Sequence, residues 1–319
     1  MTPRVLITRP LPAPVIRAAE ARLAITLRDS TLPMSPTEMT SALGSYDGIL
    51  PTLGDRFGAD ILAAAANPRC RILANFGAGY NHIDTVAADA AGLVVTNTPG
   101  AVTDATADIA LTLMLMSARR AGEGERMLRR GDWQGWHPTQ MLGLHMTGKT
   151  VGIIGLGRIG KAIARRCHLG FGMKVVFFNR SKVEEPGVPA RQLGSLQEVL
   201  AAADIAVVAV PGGAATRHLI DADALAAMKP SAHLVNTARG DIVDETALIA
   251  ALQSGQIAGA GLDVYEHEPA VPKALRVLEN VTLLPHLGTA ALEVRTAMGM
   301  MAVDNLIAFF DGGAPPNRV

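Results

Sequence analysis

The sequence predicts an α/β protein built on parallel sheets, and three observations carry that prediction. Short β-rich runs alternate with Ala-rich helical segments along the chain, the pattern of parallel strands covered on both faces. One strand, Val151-Gly152-Ile153-Ile154, breaks into Gly155-Leu156-Gly157-Arg158-Ile159-Gly160 and continues as a helix-like stretch from Lys161 to Leu169. The 319 residues carry 29 Lys plus Arg against 29 Asp plus Glu, so there is neither a basic face for nucleic acid nor an acidic tail. A chain of this length suggests about two domains with room for sizeable cores.

The elements follow in order. The first third reads Arg4–Thr8 strand, Ala13–Leu23 helix, Ile25–Arg28 strand, Ser35–Leu43 helix and Gly48–Pro51 strand. It continues with Ala59–Ala66 helix, Ile72–Phe76 strand, Asp84–Ala91 helix and Val94–Asn97 strand. A long helix, Thr103 to Arg119, comes next; residues 122–148 hold a further helix and then an irregular stretch from Trp133 to Gly148. The glycine-rich strand opens a second α/β unit with strands at Lys174–Phe178, Ile205–Val210, His233–Asn236, Ala258–Leu262 and Val281–Leu284. An Ala/Met-rich helical run from Ala290 to Phe310 stops at Gly312-Gly313. There is no solenoid repeat and no low-complexity segment. The chain crosses between the two units near Pro99 and near Gly288, giving domains of 1–98 with 289–319 and of 99–288.

The remaining features bound the setting. Cys70 and Cys167 are distant in sequence and in no metal spacing, so they read as buried thiols in a reducing compartment, and nothing asks for a disulfide or a metal. The start, Met1 to Ile7, enters a strand with no signal-peptide pattern. Ile109 to Ser117 is apolar, but Asp108 and Arg119 bracket a run too short to span a bilayer. A cytoplasmic protein without membrane contact is expected. His82, His145 and His168 match no motif and read as structural; Arg119-Arg120 and Arg129-Arg130 read as solvated helix faces.

The glycine segment has the order that a dinucleotide-binding βαβ unit requires. Gly155 permits the tight turn, Gly157 lets a pyrophosphate approach bare backbone, and Gly160 lets the helix pack closely on the strand. The helix N-terminus offers free N–H groups and a partial positive charge to phosphates. The alternative is an ordinary strand–helix turn, against which the flanking strand and helix both speak. In NAD-specific units an acid about 20 residues on accepts from the ribose hydroxyls. Here Asn179, 19 residues after Gly160, stands in that place, followed by Arg180 and Ser181. Arg180 is placed to stack on adenine or pair with a 2′-phosphate, and Ser181 to donate to it; the alternative is a solvated Arg on a surface loop. The phosphate-pairing argument favours NADP over NAD.

Three more strand ends carry chemistry. Leu234 to Gly240 ends in Arg239, which faces the region outside the carboxyl ends of the strands, where α/β sheets bind ligands. Its guanidinium can bind a carboxylate in bidentate fashion. Gly261 to Pro269 carries Asp263, Glu266 and Glu268, and Leu283 to Gly288 carries His286. Each alone is commonplace, since strand-end charges are usually solvated. Three in succession behind a dinucleotide motif point to a catalytic set.

With these segments in hand, the sequence resembles the D-isomer-specific 2-hydroxyacid dehydrogenase family, and within it the glyoxylate/hydroxypyruvate reductases. The resemblance spans essentially the whole chain. It rests on Gly77 to Asp84, Thr96-Asn97-Thr98-Pro99, Gly155 to Gly160, Thr237-Ala238-Arg239-Gly240, Asp263 to Pro269 and Pro285-His286. The spacings fit too, with 29 residues from Arg239 to Glu268 and 18 from Glu268 to His286. It implies two Rossmann-like domains with parallel sheets, a dinucleotide-binding domain inserted in a flavodoxin-like substrate domain, which close over substrate to exclude water. The implied reaction is NAD(P)H-dependent reduction of small 2-keto acids such as glyoxylate and hydroxypyruvate to D-2-hydroxy acids.

The resemblance also implies roles. Arg239 clamps the substrate carboxylate and polarises the C2 carbonyl, His286 donates the proton, and Glu268 pairs with the imidazole and raises its pKa. Ala78 and Gly79 offer backbone N–H groups to the carboxylate. Asp263 bonds the nicotinamide carboxamide. Thr103, Val210, Pro211, Thr216 and Thr237 line the cofactor channel, with Leu156, Arg158, Ile159, Ala238 and Gly288 beside them. Leu53 stands over the substrate's side group, where a small apolar wall suits glyoxylate, hydroxypyruvate or pyruvate. Trp133 to Pro138 resembles the dimerisation segment from which a Trp, here Trp136, reaches the partner's active site; the alternative is that both Trp residues only fill the dimer interface. The expected partners are therefore a 2-keto or 2-hydroxy acid and a second copy of the chain. Rival readings are D-3-phosphoglycerate oxidation, against which the end of the chain soon after its last helix speaks, phosphite oxidation, and a non-catalytic dinucleotide sensor. Formate dehydrogenases fit less well, because they place Gln where Glu268 stands.

Overall fold

The computed structural model describes residues 2–65 and 67–319. Along the chain run β1 (Arg4–Ile7), α1 (Ala13–Glu20), β2 (Ala24–Leu27), α2 (Pro36–Ser45), β3 (Gly48–Leu50), α3 (Ala59–Ala64), β4 (Ile72–Ala74), α4 (Thr85–Ala90) and β5 (Val94–Thr96). Then come α5 (Thr103–Ala118), α6 (Ala121–Arg130), β6 (Thr150–Ile154), α7 (Arg158–Phe171), β7 (Lys174–Phe178), β8 (Ala190–Gln192), α8 (Leu196–Ala202) and β9 (Ile205–Val208). They are followed by α9 (Ala222–Ala226), β10 (His233–Asn236), a 3₁₀ turn at Gly240–Ile242, α10 (Glu245–Gln253), β11 (Gly259–Leu262), α11 (Lys273–Arg276), β12 (Val281–Leu283) and α12 (Leu292–Phe310). The chain forms two compact units, Met1–Val102 with Ala290–Val319, and Thr103–Thr289. The divisions fall a few residues from the crossings expected at Pro99 and Gly288.

The smaller unit holds a five-stranded sheet, β2-β1-β3-β4-β5, and the larger a seven-stranded sheet, β12-β11-β10-β9-β6-β7-β8. All neighbouring strands in both are parallel. The first is the flavodoxin-like order. The second is the doubly wound dinucleotide-binding order with one further strand, and its order reverses between β6 and β9. The predicted α/β class with two parallel sheets is what forms. Central strands such as β3, β4, β6, β9 and β10 are buried throughout or nearly so, because helices cover both faces.

Local chemistry starts and stops the helices. Ser35 and Glu38 form a reciprocal capping box on α2, and Asp84, Ser195, Asp221 and Asp244 each accept a backbone N–H at a helix start. Gly172, in the left-handed region at φ 57°, ends α7. This helix begins at Arg158, three residues before the expected Lys161, because Gly157 is already its N-cap. α3 ends at Ala64, and Ala66, included in the expected helix, lies outside the described residues. The three-residue edge strand β8 and helices α8 to α11 add to the expected elements. Arg120 corrects an expectation: it sits between α5 and α6 at φ 53° and pairs with Glu123 instead of lying on a helix face.

Each unit has its own core. In the smaller, α12 packs on α1 so closely that a Cβ on Gly299 would stand 2.5 Å from the Val15 side chain. In the larger, α5 lies against β11, where a Cβ on Gly261 would stand 2.9 Å from Leu113 Cβ. Both cysteines are buried free thiols, and burial pushes each up to about 12. Among the described residues no helix is long and apolar enough to cross a membrane.

One polar pair ties α5 to the sheet. His233, 6% exposed, lies with Nδ1 2.8 Å from Ser117 Oγ, and burial lowers its imidazole from 6.5 to about 4. The fold therefore holds His233 neutral, while the unfolded chain takes up a proton below pH 6.5. Its contribution to stability is intact above that pH and is lost as pH falls toward 4, by about 3 kcal/mol at about 1.4 kcal/mol per tenfold change in proton affinity. Urea unfolding from pH 7 to pH 4 should show an acid destabilisation that is smaller by this amount in His233→Gln; equal acid slopes in the two proteins would contradict it.

Candidate active site

The glycine loop is built as its sterics demand. Gly155 follows β6 at φ 97°, and a Cβ there would meet Val210 Cγ1 at 2.7 Å and Ala209 O at 2.9 Å. A Cβ on Gly160 would collide with the Gly155 carbonyl, so only glycine lets α7 approach the strand. A Cβ on Gly157 would meet nothing within 4 Å. The bare backbone of this N-cap borders open space, and the first turn of α7 carries no acid but the exposed Arg158. A diphosphate fits this cradle: open backbone, unpaired helix N–H groups and positive charge. Leu156 N donates to Asn179 Oδ1 at 3.3 Å, which fastens the loop to the end of β7. Asn179 Nδ2 reaches Ser181 O at 3.2 Å, and Arg180 and Ser181 are exposed beyond it. On the neighbouring strand end, Thr216 Oγ1 donates to Pro211 O at 2.7 Å and shapes the loop after β9.

The end of β10 holds Arg239. Asn236, 1% exposed, donates from Nδ2 to Arg239 O at 2.8 Å and accepts Ala238 N–H at 3.0 Å, so one amide fixes the turn from both sides. Arg239 Nη1 donates to Ala238 O at 2.6 Å. Burial lowers the pKa of its guanidinium, and the charges of Glu268 and Asp241 oppose the shift; an arginine remains charged in any case. Gly240 follows because a Cβ there would penetrate the backbone of Tyr265 and Glu266. The Arg239 turn is thus in direct main-chain contact with the turn that carries Glu268.

The ends of β11 and β12 meet in a second clamp. Asp263, 1% exposed, accepts Leu287 N–H at 2.6 Å on Oδ1 and Gly288 N–H at 2.7 Å on Oδ2, while His286 N donates to Asp263 O at 2.9 Å. Burial raises its carboxyl pKa, and the two backbone N–H bonds work against that. Thr106 Oγ1 donates to Gly288 O at 3.2 Å. His286 itself sits at φ 55°, uncommon for a side-chain-bearing residue, and the Asp263 bonds hold it there. Its Nδ1 lies 2.9 Å from Glu268 Oε2, and Glu268 Oε1 accepts Tyr265 N–H at 3.1 Å. Burial opposes the charge on Glu268, yet His286, the Tyr265 N–H and Arg239 together hold its carboxyl below the usual range. With Nδ1 committed to the carboxylate, Nε2 is the nitrogen left for proton exchange. The larger unit thus brings Arg239, Glu268 and His286 together.

The expected substrate contacts Leu53, Ala78 and Gly79 belong to the smaller unit. Its loop after β4 is drawn inward by its carbonyls: Asn75 Nδ2 donates to Gly77 O and Gly79 O, both at 3.0 Å, and Asn97 Nδ2 to Ala78 O at 2.8 Å. His82 Nε2, 3.0 Å from Asn75 Oδ1, orients that amide, in keeping with a structural part. Leu53 is 36% exposed, and its carbonyl accepts from Arg9 Nη1 at 2.8 Å. Beneath it the buried Asp55 gathers Thr8 Oγ1, Thr52 N and Met34 N within 3.0 Å. Trp136, 78% exposed, and Trp133 stand on the irregular stretch after α6. Sequence reasoning did not single out the roles of Asn236 and Asp55. An amide or carboxylate buried at a strand end was the available signal, but its partners lie in loops that only the fold brings together.

Comparison with known proteins bears on the whole chain. Residues 111–288, more than half of it, match the family model for the D-isomer specific 2-hydroxyacid dehydrogenase NAD binding domain. A glyoxylate reductase of Pyrococcus furiosus is 40% identical, covering 100% of this chain and 96% of the relative; one of Thermococcus kodakarensis is 41% identical with the same coverage. The crystal structure of an NADPH-dependent glyoxylate/hydroxypyruvate reductase from Sinorhizobium meliloti, in complex with NADP and malonate, superposes with a TM-score of 0.89 at 38% identity, covering 100% of this chain and 97% of that one. The family match over more than half of the chain and the relatives at about 40% identity along its whole length agree, and the protein belongs to the D-isomer specific 2-hydroxyacid dehydrogenase family.

Proposed function

We propose that this protein reduces glyoxylate to its achiral 2-hydroxy acid and hydroxypyruvate to the D-2-hydroxy acid with a nicotinamide dinucleotide, NADPH in preference to NADH. The observation that carries the reading is the imidazole of His286, paired to an ionised Glu268 at the strand ends that also hold Arg239. Full-length relatives named as glyoxylate reductases support the substrate class.

The glycine cradle holds the dinucleotide: the N–H groups at the start of α7 take the pyrophosphate, and Asn179, Arg180 and Ser181 take the adenosine ribose and its 2′-phosphate. Thr103, Val210, Pro211, Thr237 and Gly288 line the way to the nicotinamide end, and Asp263 keeps lone pairs for its carboxamide beside the two backbone bonds. When bound, the nicotinamide supplies the hydride for C2 of the substrate. Arg239 binds the substrate carboxylate and stabilises the negative charge that develops on the C2 oxygen. His286 gives the proton from Nε2 to that oxygen and regains one from solvent, while Glu268 keeps the ring oriented through Nδ1. Ala78 and Gly79 offer N–H groups to the carboxylate, and their inward-bound carbonyls support this. Leu53 walls the side group. The buried free thiols suit a cytoplasmic setting.

The test is initial-rate oxidation of NADPH and NADH in parallel, with glyoxylate, hydroxypyruvate, pyruvate and phenylpyruvate, on wild type and Arg180→Ala. Fast turnover of the first two acids is expected, with the variant raising KM for NADPH about tenfold and KM for NADH little, in line with loss of one charge-assisted phosphate contact. Turnover of the larger acids alone would discard the pocket assignment, and equal effects on both dinucleotides would discard the role of Arg180.

A homodimer is part of the same proposal. Leu128, Trp133, Trp136 and Leu142 are between 50% and 78% exposed on one stretch of the larger unit, more apolar surface than scattered single residues account for. Sedimentation should give a dimer for wild type and a weaker one for the Trp133→Ala/Trp136→Ala pair; a wild-type monomer at micromolar concentration would contradict it.

A further inference from the structure

A group outside the catalytic set converges on the turn that carries Glu268. Glu266, with a side chain only 11% exposed, is two residues from Glu268 and would repel it if left unpaired. Its Oε1 accepts from His218 Nε2 at 2.8 Å and from Arg217 Nη1 and Nη2 at 3.3 and 3.2 Å. Its backbone N–H donates to Oε1 of Glu245, itself 6% exposed, at 2.9 Å. His218 is held in the left-handed region at φ 49°, with its own N–H donating to Asp241 O at 2.8 Å. That position is costly for such a residue and persists only where its surroundings fix it. The loop after β9 thus supplies both side-chain donors to the Glu266 carboxylate, the segment after β10 takes the backbone N–H groups of His218 and Glu266 through Asp241 O and Glu245 Oε1, and Gly240 lies against the backbone of Tyr265 and Glu266.

We propose that the His218–Glu266 pair is a positioning device for proton transfer: together with Arg217 it holds the Glu266 carboxylate and fixes the turn 265–268 so that Glu268 meets His286. Neither residue touches the reacting atoms. The chain of contacts runs from His218 to Glu266, along the backbone to Tyr265 N–H and Glu268, and from Glu268 Oε2 to His286 Nδ1. This inference rests on the reductase reading for its kinetic readout and on the geometry alone for its structural one.

The experiment compares wild type, His218→Ala and His218→Gln, the last of which keeps an N–H donor near the place of Nε2. With glyoxylate, His218→Ala should lower kcat about tenfold, a part of what a positioned general acid contributes, with KM for the dinucleotide within about twofold and Tm nearly unchanged; His218→Gln should recover most of kcat. Unchanged kcat in His218→Ala, or kcat, KM and Tm worsening together and not recovering in His218→Gln, overturns the proposal. A crystal structure of His218→Ala supplies a readout that needs no turnover. Glu268 and His286 separated beyond hydrogen-bonding reach supports the positioning role, and an intact contact overturns it. Wild type inactive on every 2-keto acid would sink the reductase reading, with the crystal structure still deciding the positioning role.

Discussion

The buried carboxylate of Asp263 is the constraint on which the rest of the site depends. It sits at the end of β11 and captures two successive backbone N–H groups beyond β12, with its own carbonyl taking the N–H of His286. Those bonds hold His286 in a backbone conformation that such a residue seldom adopts. Without them the turn would relax and the imidazole would lose its registration with Glu268. Burial works against the charge on Asp263, so the N–H groups and the charge are mutually dependent: each would be poorly satisfied without the other. This is preorganisation in a literal sense, since the polar groups are oriented before any substrate arrives.

The fold makes that constraint achievable. Parallel strands deliver their carboxyl ends to one edge, so β9, β10, β11 and β12 each contribute one loop to the same place. Small residues then let the loops approach: Gly240 brings the Arg239 turn onto the backbone of the Glu268 turn, and Gly160 brings α7 onto the Gly155 carbonyl. Electrostatics sets the remaining balance. Several carboxylates crowd this edge and are held by side-chain or backbone donors, as with Glu266 by Arg217 and His218, Glu268 by the Tyr265 N–H beside His286, and Asp263 by its turn.

Much of this was legible in the sequence because it is local. The alternation of strand and helix, the glycine spacing after β6 and strand-end Arg239, Glu268 and His286 can all be read within windows of a few residues. The starts of α2 and α4 likewise carry their own caps, Ser35 and Asp84. What was not legible is long-range. Nothing near Asp263 says that its partners lie at Leu287 and Gly288, and nothing near His218 points to Glu266, because those contacts exist only once neighbouring strands pair. The edge strand β8 is three residues long and too short for a periodicity to register. Arg120 read as a helix-face residue because the break between α5 and α6 is only Arg119 and the left-handed Arg120, with no glycine or proline within it to announce it.

We propose that two tasks are separate in the larger unit: the glycine cradle binds the dinucleotide, and His286, held by Asp263 and Glu268, moves the proton. His286→Ala tests this most directly, with glyoxylate reduction and dinucleotide affinity measured on the same preparation. In the variant kcat should fall about a thousandfold, within the range for a general acid, and Kd for NADPH should stay within about threefold of wild type. Dinucleotide affinity lost with turnover, or turnover retained, would contradict it.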